Sequence, residues 1–159
     1  MVEFKRILVP LDGSSLSERA LPVARALARK FESQIILLRV LDFPNPTVPA
    51  SHIEVTIGLM REARQYALQE AQNYLETIQQ ELYEEGFKTR AMLRDESPAE
   101  GILNVANSEH VDLIVMSSHG RGGLARWISG SVAERAARHS PCPVLLVRQN
   151  QDTMSESQT

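Results

Sequence analysis

The sequence predicts a single doubly wound, Rossmann-like α/β domain, with five parallel strands in the order 3-2-1-4-5 and helices on both faces. Three observations point there. Four short apolar blocks run continuously rather than alternating, the pattern of strands covered on both sides. Helix-period segments fill the gaps between the blocks, giving crossovers long enough for parallel pairing. The 159 residues suit one domain, able to bury about 70% of its unfolded surface without a metal or disulfide. Right-handed crossovers then put helices on both faces.

The first strand is Ile7-Leu8-Val9, and residues 16–31 follow with Leu16, Ala20, Val23, Ala24, Leu27 and Phe31 at helical spacing. Pro22 interrupts that pattern, so it either kinks the helix or moves its start later. Ile35-Ile36-Leu37-Leu38 is the second strand. Residues 42–58, with Pro44, Pro46 and Pro49, read as a loop longer than most connections, of the kind that serves as a lid or is disordered. Residues 60–85 form the long helix, with Met60, Ala63, Ala67, Ala71, Tyr74, Ile78 and Leu82 on one stripe and Gly86 as its stop. Residues 88–94 are mixed in character and read as an edge strand.

Residues 99–108 are helical through Ile102, Leu103, Val105 and Ala106, and Leu113-Ile114-Val115-Met116 is the fourth strand. A short helix over 132–139 leads to the fifth, Val144-Leu145-Leu146-Val147. Three helix starts share the S-x-x-E capping box: Ser15 with Glu18, Ser97 with Glu100, and Ser131 with Glu134. Pro98 takes the first helical position of the second. The domain is expected to span 1–148, with the polar residues 149–159 disordered.

Composition excludes several classes. With 17 Lys plus Arg against 20 Asp plus Glu, the formal net charge is −3, which argues against a general nucleic-acid binder. The lone cysteine, Cys142, rules out an internal disulfide framework and a Cys-rich zinc site. No apolar run reaches the roughly 18 residues of a membrane span, and Met1 to Arg6 carries no signal-peptide pattern. A soluble, cytoplasmic protein is the expectation.

In open α/β sheets the ligand sits beyond the carboxyl ends of the strands, where strand order reverses. That rule selects the loop from Pro10 through Leu11, Asp12, Gly13 and Ser14 to Ser15, and the segment from Met116 to Ser131. The second holds Ser117, Ser118, His119, Gly120, Arg121, Gly122 and Gly123, then Gly130 before a helix start. Glycines let backbone N–H groups approach an anion, and a helix N-terminus adds partial positive charge. Arg121 and Arg126 add two full charges. A Walker A motif is excluded because the chain has no Gly-Lys pair. Residues 120–125 do match G-x-G-x-x-A, yet no acid lies between Ser140 and Arg148 to receive a dinucleotide's ribose.

The opening Lys5-Arg6-Ile7-Leu8-Val9-Pro10-Leu11-Asp12-Gly13-Ser14 resembles the start of the universal stress protein family. Asp112 to Arg148 is similar to that family's C-terminal half, through Gly130-Ser131-Val132-Ala133-Glu134 and Cys142-Pro143-Val144-Leu145-Leu146-Val147. The resemblance covers roughly residues 3–148. Its most specific element is the pattern G-x2-G-x9-G-[ST] of the ATP-binding branch, matched by Gly120, Gly130 and Ser131. The family's first glycine is Ser117 here, which adds a side chain where the family packs ribose against bare backbone.

The resemblance implies a ligand, ATP or its ADP or AMP forms, with Mg2+ as an accompanying ion. It assigns Asp12 to the ribose hydroxyls, Pro10 and Val40 to the border of the adenine, and Met116 and Ser117 to the sugar. Leu11 belongs to the same strand end. Gly120, Gly130, Ser131 and Val132 offer backbone N–H groups to phosphate, with His119 and Arg121 as supplementary contacts. It also implies a homodimer through Val144–Val147, an apolar strand that no later helix covers.

Plainer roles compete with each assignment. Asp12 can satisfy turn amides, as Asp before Gly often does; Ser131 can serve as an N-cap, and Gly130 as a tight turn. His119 reads as a surface group, Cys142 as a small buried apolar residue, and Trp127 as a loop anchor or an exposed side chain. His52, His110 and His139 have no metal-ligand spacing. Asp12 is the one acid placed in the site, so binding is better supported than turnover. Two other readings are a slow ATPase or nucleotide-using transferase, and a dimeric interaction protein that binds no nucleotide. A flavodoxin-like carrier lacks its aromatic clamp.

Overall fold

In the computed structural model, which describes residues 1–43, 47, 49–118 and 130–148, the apolar blocks lie in one parallel five-stranded sheet. The strands are β1 (Arg6–Pro10), β2 (Gln34–Leu41), β3 (Lys88–Asp95), β4 (Leu113–Ser117) and β5 (Val144–Val147). Their order is β3-β2-β1-β4-β5, as the sequence predicts, with β3 and β5 at the edges. β1 pairs with β2 from Arg6 opposite Gln34 to Pro10 opposite Leu38, and with β4 at Ile7–Leu113 and Leu8–Ile114. Asp112 fixes the entry of β1, since its carboxylate accepts the amides of Lys5 and Arg6, each at 2.8 Å.

The helices are α1 (Ala20–Phe31), α2 (Ile53–Glu84), α3 (Pro98–Ser108) and α4 (Ser131–His139), with 3-10 turns at Ser17–Arg19 and Ala50–His52. Successive strand side chains point to opposite faces, so each apolar block is split between two cores. Ile7, Val9, Ile35 and Leu37 pack against Ala24 and Ala28 of α1 and Leu75 and Leu82 of α2. Leu8, Ile36, Leu38 and Ile114 pack against Ile102 and Val105 of α3 and Ala133 and Ala136 of α4. Fully burying an aliphatic side chain of this size contributes about 1.5–3 kcal/mol. Both cores need theirs, which is why the blocks have no polar alternation.

Local details depart from the sequence reading in three places. Pro22 moves the start of the first helix rather than kinking it. α1 begins at Ala20, so Pro22 falls in the first turn, where its missing N–H has no helical acceptor to lose. The second departure is the long connection. Helix α2 begins at Ile53, leaving only 42–49 between β2 and the second 3-10 turn. Ile53, Val55, Ile57 and Leu59 are exposed. This segment therefore carries no buried stripe to announce a helix; it extends one already nucleated, and propagation costs much less than nucleation.

The third departure concerns the capping boxes. Among the described residues no helix start shows a side-chain cap hydrogen bond. Each box glutamate is engaged elsewhere: Glu18 accepts from the Tyr74 hydroxyl, Glu100 pairs with Arg135, and Glu134 pairs with Arg138. The cap residue of α4 is Gly130, and Ser131 is the first helical residue, not the cap. The predicted stop of α2 is in place, with Gly86 at φ +91° directly after the Glu85 cap. Residues 149–159, expected to form a disordered tail, lie outside the described residues.

Candidate functional site

Where strand order reverses between β1 and β4, a cleft of about 280 Å3 opens over their carboxyl ends. Pro10, Leu11 and Asp12 come from the end of β1, Val40 from β2, Met116 and Ser117 from β4, and Gly130, Ser131 and Val132 from the start of α4. Every site residue singled out in the sequence that the structure describes thus lines one cavity. His119, Gly120 and Arg121 lie outside the described residues, as do Arg126 and Trp127.

Ser118, within the selected segment, also lines the cleft, and further walls were missed by sequence reasoning: Ser17, Leu38, Pro98, Ile102 and Ala133. Some had a signal. Leu38 lies two residues before Val40 on the same strand face, and Ala133 lies in the same first helical turn as Ser131. Ser17 and the pair Pro98 and Ile102 reach the cleft through tertiary packing alone.

The Asp12 loop is held by a closed set of hydrogen bonds. The Ser14 amide donates to Asp12 Oδ1 at 2.9 Å, and the Ser14 hydroxyl donates to the same oxygen. The Asp12 amide donates to Ser17 Oγ at 3.2 Å, while the Ser17 hydroxyl donates to the Ser14 carbonyl at 2.9 Å. The turn role of Asp12 is therefore real, carried by Oδ1, and it fixes the carboxylate at the cleft wall. Gly13 takes φ +86°, and a β-carbon there would stand 3.1 Å from two guanidinium nitrogens of Arg39.

Arg39 itself had not stood out in the sequence. It is 7% exposed and is the one buried charged side chain among the described residues. Its guanidinium lies 5.2 Å over the Tyr74 ring, and the Tyr74 hydroxyl donates to Glu18 Oε1 at 2.8 Å. Burial, reinforced by the Glu18 bond, pushes the Tyr74 phenol well above its ordinary value.

At the opposite wall the start of α4 is fastened to β4. The Gly130 amide donates to the Ser118 carbonyl at 3.0 Å, and the Ser118 amide donates to the Val147 carbonyl at 3.1 Å. The Gly130 N–H is therefore already committed in this structure, contrary to its expected use as a donor to phosphate. The amides of Ser131, Val132 and Ala133 open the helix and have no acceptor within it. They form the positive end of its dipole.

The cleft thus combines three chemistries. Leu38, Val40, Ile102 and Met116 make an apolar wall suited to a flat ring system. A carboxylate at Asp12 can accept hydroxyl donors, and the start of α4 can receive an anion. Among the described residues no group of three or more His, Cys, Asp or Glu could hold a metal ion. Cys142 lies away from the cleft walls and is half-buried rather than buried, its amide donating to Ser140 Oγ at 3.2 Å. Burial raises its thiol pKa.

Comparison with known proteins agrees with the fold. Residues 3–148 match the model of the universal stress protein family. Universal stress protein MJ0531 of Methanocaldococcus jannaschii is 34% identical over 147 residues, covering 91% of this chain and 82% of its own. Among solved structures, hypothetical protein MJ0577 of the same organism superposes with a TM-score of 0.79 at 34% identity, covering 94% of this chain and 99% of that one. A universal stress protein family protein from Arabidopsis thaliana, solved with AMP bound, shares the fold at 18% identity and TM-score 0.66, covering 96% and 97%. With the family model spanning nearly the whole domain, the chain belongs to the universal stress protein family.

Proposed function

We propose that this protein binds an adenine nucleotide, ATP or its ADP or AMP forms, in the cleft between β1 and β4, and that it works as a stress-response regulator rather than a catalyst. The observation that carries this is the convergence of five separate chain segments on one cavity that has an apolar wall, a carboxylate and a helix N-terminus. The adenine lies between Val40 and Pro10, the ribose hydroxyls donate to Asp12, and the phosphates face the amides of Ser131, Val132 and Ala133. Gly130 contributes bare backbone, which lets the phosphates come close. The Arabidopsis protein holds AMP on the same fold, which supports this choice of ligand. Mg2+, where present, is held by the phosphates.

Regulation through binding also calls for a partner surface. β5 is an edge strand with Leu145 36% exposed, and an apolar edge invites pairing with a second copy of the chain. A homodimer through Val144–Val147 is the proposed assembly. A cytoplasmic setting fits the lone, half-buried cysteine.

Thermal melting with and without ATP and Mg2+ tests the reading. Ligand at 100 times its dissociation constant adds about 2.7 kcal/mol, which for a chain of this size raises Tm by roughly 5–11 °C. A Tm unmoved by ATP, ADP and AMP alike would favour an interaction protein that binds no nucleotide. Magnesium-dependent phosphate release well above background would favour the slow ATPase.

A further inference from the structure

We propose that Arg39 is a positioning residue for the Asp12 carboxylate: it braces the loop that presents Asp12 to a nucleotide's ribose, and Tyr74 and Glu18 hold it in place. The inference rests on the reading of the cleft as an adenine-nucleotide site.

The starting point is an energetic oddity. A buried guanidinium is costly unless it is paired and hydrogen-bonded. Arg39 sits in β2 among Leu37, Leu38 and Val40, and none of the ion pairs among the described residues includes it. Its Nε is buried with no hydrogen-bond partner among them. The fold keeps a charge at a buried position where an apolar side chain would carry no desolvation penalty, so stability alone does not account for it.

What the guanidinium touches suggests the reason. One face lies 5.2 Å over the Tyr74 ring, a cation–π contact that strengthens when it is desolvated. On another side it meets Gly13, so closely that a β-carbon there would be 3.1 Å from both terminal nitrogens. Gly13 directly follows Asp12, and its φ of +86° belongs to the left-handed region. The loop therefore cannot shift toward β2 without running into the guanidinium.

The brace continues outward. The Tyr74 hydroxyl donates to Glu18 Oε1, and Glu18 neighbours Ser17, whose Oγ accepts the Asp12 amide. Both sides of the Asp12 loop are thus tied to one network that reaches α2.

The test compares ATP with 2′,3′-dideoxyATP, which lacks the hydroxyls that Asp12 would hold. Affinities are measured by calorimetry for the parent, Arg39→Met, Asp12→Asn and the double variant. Met keeps the aliphatic reach of Arg39 and removes its charge and planar fork. Arg39→Met is expected to lose about tenfold in ATP affinity, the scale of one charged hydrogen bond, and to keep its dideoxyATP affinity within about twofold. In the Asp12→Asn background the same substitution should change neither.

Should Arg39→Met fail to fold, Tyr74→Phe carries the test, because it keeps the ring and releases Glu18; a smaller loss confined to ATP is expected. Equal losses for both nucleotides, or no loss for ATP, would overturn the proposal while leaving the adenine-nucleotide reading intact. A parent that binds neither nucleotide removes both.

Discussion

Gly101 of α3 lies so close to Val40 of β2 that a β-carbon on the glycine would stand 2.7 and 2.8 Å from the two Val40 methyls. Val40 lines the cleft, so the closeness of α3 to the sheet sets how far the adenine wall stands back. Gly101→Ala cannot be accommodated without moving Val40 or the helix. Overpacking of this kind costs about 1–3 kcal/mol, and displacement of Val40 narrows the cleft. The expected result is a lower Tm together with weaker ATP binding; Gly101→Ala with parental ATP affinity would show that Val40 does not border the base.

Gly130→Val separates binding from folding. Among the described residues nothing lies within 4 Å of the position a β-carbon would occupy on Gly130, so the variant has room to fold. Loss of a favourable cap residue costs about 1 kcal/mol, or roughly 2–4 °C in Tm. The branched side chain nevertheless stands where phosphate must approach the amides of α4. Melting curves should show a slightly lower Tm for the free protein and no rise with ATP. A rise equal to the parent's would move the phosphates elsewhere.

Tyr74 predicts the alkaline limb of stability. Its phenol is held above the ordinary value of 10.0 by burial and by Glu18. A raised folded pKa contributes stability that is fully present below the unfolded value of about 10 and lost as pH rises through the folded one. Urea unfolding at pH 8 and above pH 10 should show Tyr74→Phe losing less stability than the parent over that interval. Equal losses would mean that the phenol ionises as freely folded as unfolded.

Leu145 tests the assembly. It is the most exposed apolar side chain of β5, and Lys is a common device for blocking edge pairing. Sedimentation at micromolar concentration should give a dimer for the parent and a monomer for Leu145→Lys. A monomeric parent would remove the edge-strand dimer.

The architecture was legible because it rests on patterns that burial imposes. Strands covered on both faces must be apolar throughout, and Ile7 to Val9, Ile35 to Leu38 and Leu113 to Met116 show it directly. The switch point follows from strand order, which is how Asp12 and Gly130 could be named from the chain. Features set by competition between partners were harder to see. The capping boxes are present in sequence, yet Glu18, Glu100 and Glu134 are drawn to Tyr74, Arg135 and Arg138. The glycine pattern marks the Gly130 amide as a phosphate donor, and only the tertiary structure brings the Ser118 carbonyl to accept it. Arg39 did carry a signal, a lone cation inside the apolar run from Ile35 to Leu41, but its neighbours Gly13 and Tyr74 are distant in sequence.

The most direct test of the central claim is a map of which backbone amides respond to ATP, read from 1H–15N correlation spectra during titration. Large shifts are predicted at Ser131, Val132 and Ala133 at the start of α4, with Asp12 and Val40 moving in step along one binding curve. The same titration on Asp12→Ala should saturate at higher ATP. Spectra in which these amides stay still, or in which the shifts gather in the groove between Leu21 of α1 and Glu81 of α2, would contradict the assignment of the cleft.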